Sequence, residues 1–144
     1  MSHFPRVAEY MDTVVHTLRP ETDIYEAVDF LLAHGVTGAP VVDDEDHLIG
    51  IVTAKDCLRL LTHGADDQGA VTGTVADFMT TEVVSIGLRT DIYYAAGIFL
   101  APGNYFRRLP VVKDGKLVGA ITRFDILRAI QANFGNTPPS IDGG

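Results

Sequence analysis

Two seven-residue stretches of this chain pair a threonine with an aspartate three residues later: GIVTAKD at 50–56 and GAITRFD at 119–125. In both stretches two apolar residues precede the threonine, and an apolar helical pattern follows the aspartate. A threonine where a buried strand ends and a helix begins, with an acid three residues on, is typical of a capping box. Such a box stabilises its helix by about 0.5–2 kcal/mol and requires no ligand.

The same residues also suit the binding of a nucleotide. A helix that begins directly after a strand presents unpaired N–H groups and a positive dipole end, which favour phosphate. A short carboxylate held at that point suits the two hydroxyls of a ribose. The stretch FRRLPVV at 106–112 adds Arg107 and Arg108, which can make charge-assisted bonds to phosphate. Each motif therefore predicts a helix cap, either alone or with a ligand contact as well.

The two motifs belong to a repeat that runs through most of the chain. The matching segments are VAEYM at 7–11 with VADFM at 75–79, TDIYEA at 22–27 with TDIYYA at 90–95, and APVV at 39–42 with LPVV at 109–112. Apolar residues follow a helical period after each TDIY, and Asp114-Gly115 is a favoured two-residue hairpin turn. The pattern predicts an α/β (α+β) fold of two βαββα repeats.

We expect the first repeat to cover residues 7–62 and the second to cover 75–134. A polar linker at 63–74 joins them, and a disordered tail at 135–144 follows. Neither repeat has enough chain to cover both its sheet and its helix face, so we expect the repeats to pack face to face about a pseudo-two-fold axis. The second repeat gains two residues around APGNYF, where Pro102 should end its helix early.

Composition and charge argue against several classes of protein. The 144 residues are 47% hydrophobic and 21% charged, and no apolar run is long enough to span a membrane. The N-terminus lacks a secretory pattern and Cys57 has no disulfide partner, so we expect a cytoplasmic protein. The net charge of −8 opposes nucleic-acid binding. Residues 79–144 hold seven Lys/Arg against five Asp/Glu, so this half is expected to supply the charge for an anion.

The doubled pattern PVV…GhhTxxD (h, apolar), each copy preceded by TDI and an apolar helix, resembles the tandem cystathionine-β-synthase (CBS) domain pair, or Bateman module. The resemblance covers about residues 7–134. It implies two pseudo-symmetric clefts that bind an adenosine-containing ligand such as AMP, ADP, ATP or S-adenosylmethionine. It also implies a stand-alone regulatory module that forms a homodimer and signals to a partner protein, with no catalytic residues, no metal and no required cofactor.

Carried over residue by residue, the resemblance implies two sets of ligand contacts. One cleft combines Thr53 and Asp56 with Val84, Ser85, Arg108 and Leu109; the other combines Thr122, Arg123 and Asp125 with His16, Thr17, Gly38 and Ala39. Arg108 stands at the basic position that commonly meets phosphate in this family, and its counterpart is Gly38. We therefore expect the Asp56 cleft to bind more tightly, with Arg123 compensating in part at the other. Tyr105 or Phe106 is a candidate to stack on the adenine of the first cleft, whereas packing into the interface is the expected role of at least one of them.

Two other functions compete with this interpretation. One is an interaction or scaffold protein that keeps the fold and the caps but binds no nucleotide. The other is an enzyme acting on a nucleotide, which is disfavoured because no base, nucleophile or metal cluster accompanies the motifs. The acidic run at 43–46 with His47 is expected to form a solvated turn rather than a metal site, and the five histidines show no zinc spacing. Cys57 is expected to be a half-buried helix residue rather than a reactive thiolate.

Overall fold

The computed structural model describes residues 4–62, 71–103 and 107–135. Its helices and strands, in chain order, are α1 Val7–Tyr10, α2 Ile24–His34, β1 Gly38–Val42, β2 Leu48–Thr53, α3 Ala54–Cys57, α4 Arg59–Thr62, α5 Val75–Phe78, β3 Ile86–Gly87, α6 Ile92–Leu100, β4 Arg108–Lys113, β5 Lys116–Thr122 and α7 Arg123–Ile130. A π-helical turn, Gln131–Gly135, follows α7. This mixture of helices and strands confirms the predicted α+β class.

Some of the expected features lie outside the described residues. They are Tyr105 and Phe106, most of the linker at 63–74, and the tail beyond residue 135. In the described ranges, no helix has both the length and the apolar character needed to cross a membrane.

The chain divides into two compact units, which we name after the aspartate of the motif in each. The Asp56 unit consists of residues 16–62, 71–83 and 115–117, and the Asp125 unit consists of residues 4–15, 84–103, 107–114 and 118–135. Helix α1 therefore lies in the Asp125 unit, and helix α5 lies in the Asp56 unit. We call α1 and α5, the first helix of each sequence repeat, the leading helices. Each unit combines the leading helix of one repeat with the strands and the motif of the other.

In the Asp56 unit, β1 and β2 form an antiparallel hairpin in which Pro40 lies opposite Ile51. The opening strand of the repeat is reduced to a parallel bridge between Leu18 and Val41. Helix α2 ends at a left-handed glycine, Gly35, with a φ of 63°. The buried core is formed by Leu18, Ile24, Ala27, Leu31, Ala39, Val41, Val52, Val75 and Phe78.

In the Asp125 unit, the strands follow the order β3-β4-β5, and β3 is parallel to β4. The predicted turn between β4 and β5 is confirmed, since Asp114 and Gly115 have φ values of 53° and 81°. Helix α6 is two residues shorter than the 11-residue α2 and stops at Leu100, so Pro102 does shorten it. The buried core is formed by Val7, Ile86, Ile92, Ala95, Phe99, Leu109, Val111, Ile121, Ile126 and Ala129.

Candidate functional site

The first motif forms the predicted capping box at the junction of β2 and α3. Thr53, in extended conformation at the end of β2, accepts the backbone N–H of Asp56 on its hydroxyl at 3.1 Å. In return, Oδ2 of Asp56 accepts the backbone N–H and the hydroxyl of Thr53, both at 3.0 Å. The carboxylate is therefore fixed against the strand end, with its side chain 14% exposed.

The second motif repeats this arrangement where β5 meets α7. Oδ2 of Asp125 accepts the backbone N–H of Thr122 at 2.8 Å, and the Thr122 hydroxyl accepts the N–H of Asp125 at 3.1 Å. The Asp125 side chain is 12% exposed. Among the residues that the structure describes, Asp125 is the one buried polar residue. The capping-box interpretation is thus confirmed at both motifs, and it leaves open whether the carboxylates also bind a ligand.

An arginine three residues after each aspartate contacts its carboxylate, which the sequence reasoning did not anticipate. The terminal nitrogen Nη2 of Arg128 lies 2.9 Å from Oδ1 of Asp125 and also donates to the carbonyl of Tyr10 at 2.8 Å. Nη2 of Arg59 lies 3.7 Å from Oδ1 of Asp56 and donates to the carbonyl of Phe78. The sequence already pointed to these arginines, since DCLR at 56–59 and DILR at 125–128 both place an arginine three residues after the aspartate.

The two carboxylates differ in one further neighbour. The hydroxyl of Thr80 donates to Asp56, at 3.2 Å from Oδ1 and 3.4 Å from Oδ2. Asp12 is the residue at the equivalent position of the other repeat, and an ionised carboxylate has no proton to donate. Its Oδ1 instead accepts the backbone N–H of Val14 at 2.9 Å.

The other predicted ligand residues are distributed between the units. His16, Thr17, Gly38 and Ala39 lie in the Asp56 unit, and Val84, Ser85, Arg108, Leu109 and Arg123 lie in the Asp125 unit. Gly38 pairs with Thr53 across the β1–β2 hairpin, and the exposed ring of His16 stacks on His34 with centroids 4.1 Å apart. Each predicted cleft combines residues of both units, so the assignment of these residues to the two clefts stays a prediction.

Two candidates for other chemistry are accounted for by local structure. Burial, followed by the charge of Asp56, raises the pKa of the half-buried Cys57 thiol, which disfavours a reactive thiolate. The acidic run forms a turn in which Oδ1 of Asp43 accepts the N–H groups of Glu45 and His47, both at 2.9 Å. Across the described ranges, no group of three or more His, Cys, Asp or Glu is arranged to hold a metal ion.

Comparison with known proteins identifies both repeats. The CBS domain family model matches residues 7–63 and again residues 75–132. Protein MJ1225 of Methanocaldococcus jannaschii is 34% identical over 128 residues, which cover 89% of this chain and 44% of that protein. The chloroplastic CBS domain-containing protein CBSX1 of Arabidopsis thaliana is 32% identical, over 80% of this chain and 58% of its own length. The chain thus spans about half the length of these two relatives.

A solved structure has the same fold. The crystal structure of CBSX2 of Arabidopsis thaliana in complex with AMP matches with a TM-score of 0.74 and 34% identity, covering 89% of this chain and 97% of that one. Because CBSX1 is chloroplastic by name, the expected cytoplasmic location stays a prediction.

Proposed function

This chain belongs to the CBS domain family, and we propose that it is a regulatory module that binds an adenosine-containing nucleotide through Asp56 and Asp125. The observation that carries the proposal is the placement of these two carboxylates. Each is fixed at the junction of a strand and a helix by the same cap, and each keeps acceptor positions that the cap does not use.

The Asp125 carboxylate has the larger free capacity to accept hydrogen bonds. An ionised carboxylate offers about four acceptor positions. Among the described residues, Thr122 uses one position on Oδ2 and Arg128 uses one on Oδ1. About two positions are therefore left, one on each oxygen, which matches the two adjacent hydroxyls of a ribose.

The Asp56 carboxylate is more heavily used. Thr53 donates twice to Oδ2, and the Thr80 hydroxyl is shared between both oxygens. A ribose that binds here must share Oδ1 with Thr80 or displace its hydroxyl. The sequence favoured the Asp56 cleft because of Arg108, whereas the acceptor capacity favours Asp125.

Cationic side chains for a phosphate are available in the Asp125 unit. Arg107 and Arg108 are exposed where β4 begins, and Arg123 is exposed at the start of α7, with its guanidinium 5.6 Å from the ring centroid of Phe99. We assign the phosphate contact of the first cleft to Arg108 and that of the second to Arg123. AMP, ADP, ATP and S-adenosylmethionine all carry the ribose diol, and AMP is the ligand in the CBSX2 complex.

We further propose that the module acts as a homodimer that reports ligand occupancy to a partner protein. Both units expose leucines at equivalent positions of the two repeats, Leu32 with Leu100 and Leu58 with Leu127, each more than half exposed. Exposed apolar side chains that form a contiguous patch mark an association surface, and we propose that these leucines supply it in the dimer. A ligand changes the output only to the extent that it binds one packing of the dimer better than another.

The test is thermal unfolding and calorimetric titration of ligand-free protein with AMP, ADP, ATP and S-adenosylmethionine. At each site, a ligand at 100 times the dissociation constant of that site should add about 2.7 kcal/mol to the unfolding free energy. We expect Asp125→Ala to remove most of this gain and Asp56→Ala to remove part of it.

The chain offers a matched control in a third capping box. Oδ2 of Asp77 accepts the backbone N–H and the hydroxyl of Thr74, at 2.8 and 3.2 Å, at the start of α5. Asp77→Ala removes a cap of the same type, so it should lower stability and leave affinity unchanged. If no member of the panel binds, the nucleotide function is wrong and the scaffold function is favoured. If a ligand binds but all three variants lose affinity alike, Asp56 and Asp125 are not the residues that meet it.

A further inference from the structure

We propose that Arg59 and Arg128 are positioning residues of the two nucleotide sites. Each would fix the ribose-binding carboxylate against the last carbonyl of a leading helix. This inference rests on the proposed function, because it concerns how the carboxylates that would meet the ribose are held in place. Neither arginine is assumed to touch the ligand.

Arg128 shows the arrangement in its tightest form. A single nitrogen, Nη2, donates to Oδ1 of Asp125 at 2.9 Å and to the carbonyl of Tyr10 at 2.8 Å. Tyr10 is the last residue of α1 and lies 118 positions away in the chain. The carboxylate is thus held at two points, with the cap on Oδ2 and the guanidinium on Oδ1, so it cannot rotate about its Cβ–Cγ bond without losing a hydrogen bond.

Arg59 repeats the arrangement in the Asp56 unit. Its Nη2 contacts the carbonyl of Phe78, the last residue of α5, and its guanidinium lies 5.4 Å from the Phe78 ring centroid. Its Nε donates to the backbone carbonyl of Asp56 at 3.2 Å. Phe78 and Tyr10 are equivalent positions of VADFM and VAEYM. In both units, therefore, an arginine guanidinium lies between the carboxylate of the motif and the last carbonyl of the leading helix. Such a repeated arrangement is not expected of an incidental surface ion pair.

Fixing the carboxylate matters for a diol because both hydroxyls must be met at once. Hydrogen bonds to an ionised acceptor are roughly twice as strong as neutral ones, but only when the acceptor is aligned. An acceptor that is held in place before binding loses less conformational freedom when the ligand arrives. The arginine therefore acts on affinity through the carboxylate.

The two sites should depend on their arginines to different degrees. Arg128 is at hydrogen-bonding distance from Asp125, whereas Arg59 is 3.7 Å from Asp56, beyond that distance. Asp56 also has the Thr80 hydroxyl, and the equivalent Asp12 cannot replace that donor. Loss of Arg128 should consequently weaken its site more than loss of Arg59 weakens the other.

The experiment isolates one site at a time by calorimetric titration with AMP. Arg128→Gln is compared with its parent in an Asp56→Ala background, and Arg59→Gln is compared with its parent in an Asp125→Ala background. We expect AMP to bind about tenfold more weakly after Arg128→Gln and about threefold more weakly after Arg59→Gln. Arg128→Lys, which keeps a cation, should recover much of the loss.

A second ligand separates positioning from general damage to the fold. AMP that lacks both ribose hydroxyls cannot use the carboxylate, so its weaker binding should be the same with and without Arg128→Gln. Equal losses for both ligands, or unchanged AMP affinity in Arg128→Gln, would overturn the inference while AMP binding by the wild type still supports the proposed function. If Arg128→Gln does not fold, Arg128→Met, which also lacks the cation, decides by the same comparison. If wild-type protein binds neither AMP nor any other member of the panel, the proposed function and this inference are both overturned. If it binds another member instead, that ligand and its analogue without the ribose hydroxyls take the place of AMP in both comparisons.

Discussion

A β-carbon placed on Gly119 would lie 2.7 Å from the carbonyl oxygen of Asp12 and 2.8 Å from the sulfur of Met11. The approach is this close because Asp12 and Ala120 exchange two backbone hydrogen bonds, both of 2.9 Å. Gly50 meets Met79 and Thr80 in the same way in the Asp56 unit. The glycine that opens each motif thus lets the segment after a leading helix pair with the strand that carries the motif.

Gly119→Ala should lower the free energy of unfolding by about 1–3 kcal/mol, because the strand and the residues after α1 must separate to admit the methyl group. Urea unfolding followed by circular dichroism measures the loss. Gly50→Ala should give a comparable result, since its β-carbon would lie 2.7 Å from the sulfur of Met79.

The matched control is Gly97→Ala on helix α6. Nothing lies within 4 Å of a β-carbon there, and alanine is a better helix former than glycine. This variant should gain about 0.5–1 kcal/mol of stability. If Gly119→Ala and Gly97→Ala change stability by the same amount and in the same direction, close approach is not the reason for the glycine in the motif.

Local features of the fold could be predicted because they depend on neighbouring residues. The turn at Asp114-Gly115 and the end of α2 at Gly35 follow from backbone preferences, and the early end of α6 follows from Pro102. The capping boxes could be predicted for the same reason, since all their atoms lie within four consecutive residues.

The long-range contacts of the site could not be predicted in the same way. The contact of Arg128 with Tyr10 joins residues 118 positions apart, and the contact of Thr80 with Asp56 joins residues 24 apart. They depend on which leading helix packs in which unit, and the apolar patterns of α1 and α5 are too similar to decide this. What the sequence did indicate is a contact to each aspartate, because an arginine follows it by three residues in both motifs.

Asp43→Asn should reduce the loss of stability in acid. The backbone N–H of His47, which donates to Oδ1 at 2.9 Å, holds the pKa of Asp43 below its ordinary value of 3.8. Because the pKa is lower in the folded state, the carboxylate stabilises the fold above about pH 4, and this contribution is lost as the pH falls through the folded-state value. Asparagine keeps the acceptor oxygen but does not titrate.

Urea unfolding of the wild type and of Asp43→Asn at about pH 6, 4 and 3 measures this effect. The variant should be the less stable protein at the highest pH, and the difference should shrink as the pH falls. Two parallel pH curves would show that the Asp43 carboxylate does not contribute to the acid sensitivity.

Replacing one exposed leucine in each unit should dissociate the proposed dimer. Leu58 and Leu127 are 62% and 59% exposed at equivalent positions of the two repeats, so the double change Leu58→Glu, Leu127→Glu places charges on the proposed association surface without opening the core. Light scattering after gel filtration should then report a monomer with an unchanged circular dichroism spectrum. Val14→Glu, at an exposed position outside the helices, is the control and should stay dimeric. A wild-type protein that is monomeric at high concentration would contradict the dimer.

Cys57 should react slowly with iodoacetamide near neutral pH. Burial raises the pKa of its thiol, and the adjacent Asp56 carboxylate raises it further, so little of the reactive thiolate is present. The native protein should be labelled on the order of tenfold more slowly than the same protein in urea. Slow labelling alone does not separate charge from restricted access, since the side chain is half buried.

Asp56→Asn separates the effect of charge from that of restricted access, because it removes the negative charge and keeps a side chain of the same shape. Labelling of Cys57 should become faster in this variant at unchanged temperature and pH. Asp77→Asn, which alters a similar cap at α5 instead of the one beside the cysteine, should leave the rate unchanged. If both variants label at the wild-type rate, restricted access controls the reactivity of Cys57. If both become faster, general loosening of the fold is the cause, and the charge of Asp56 is not.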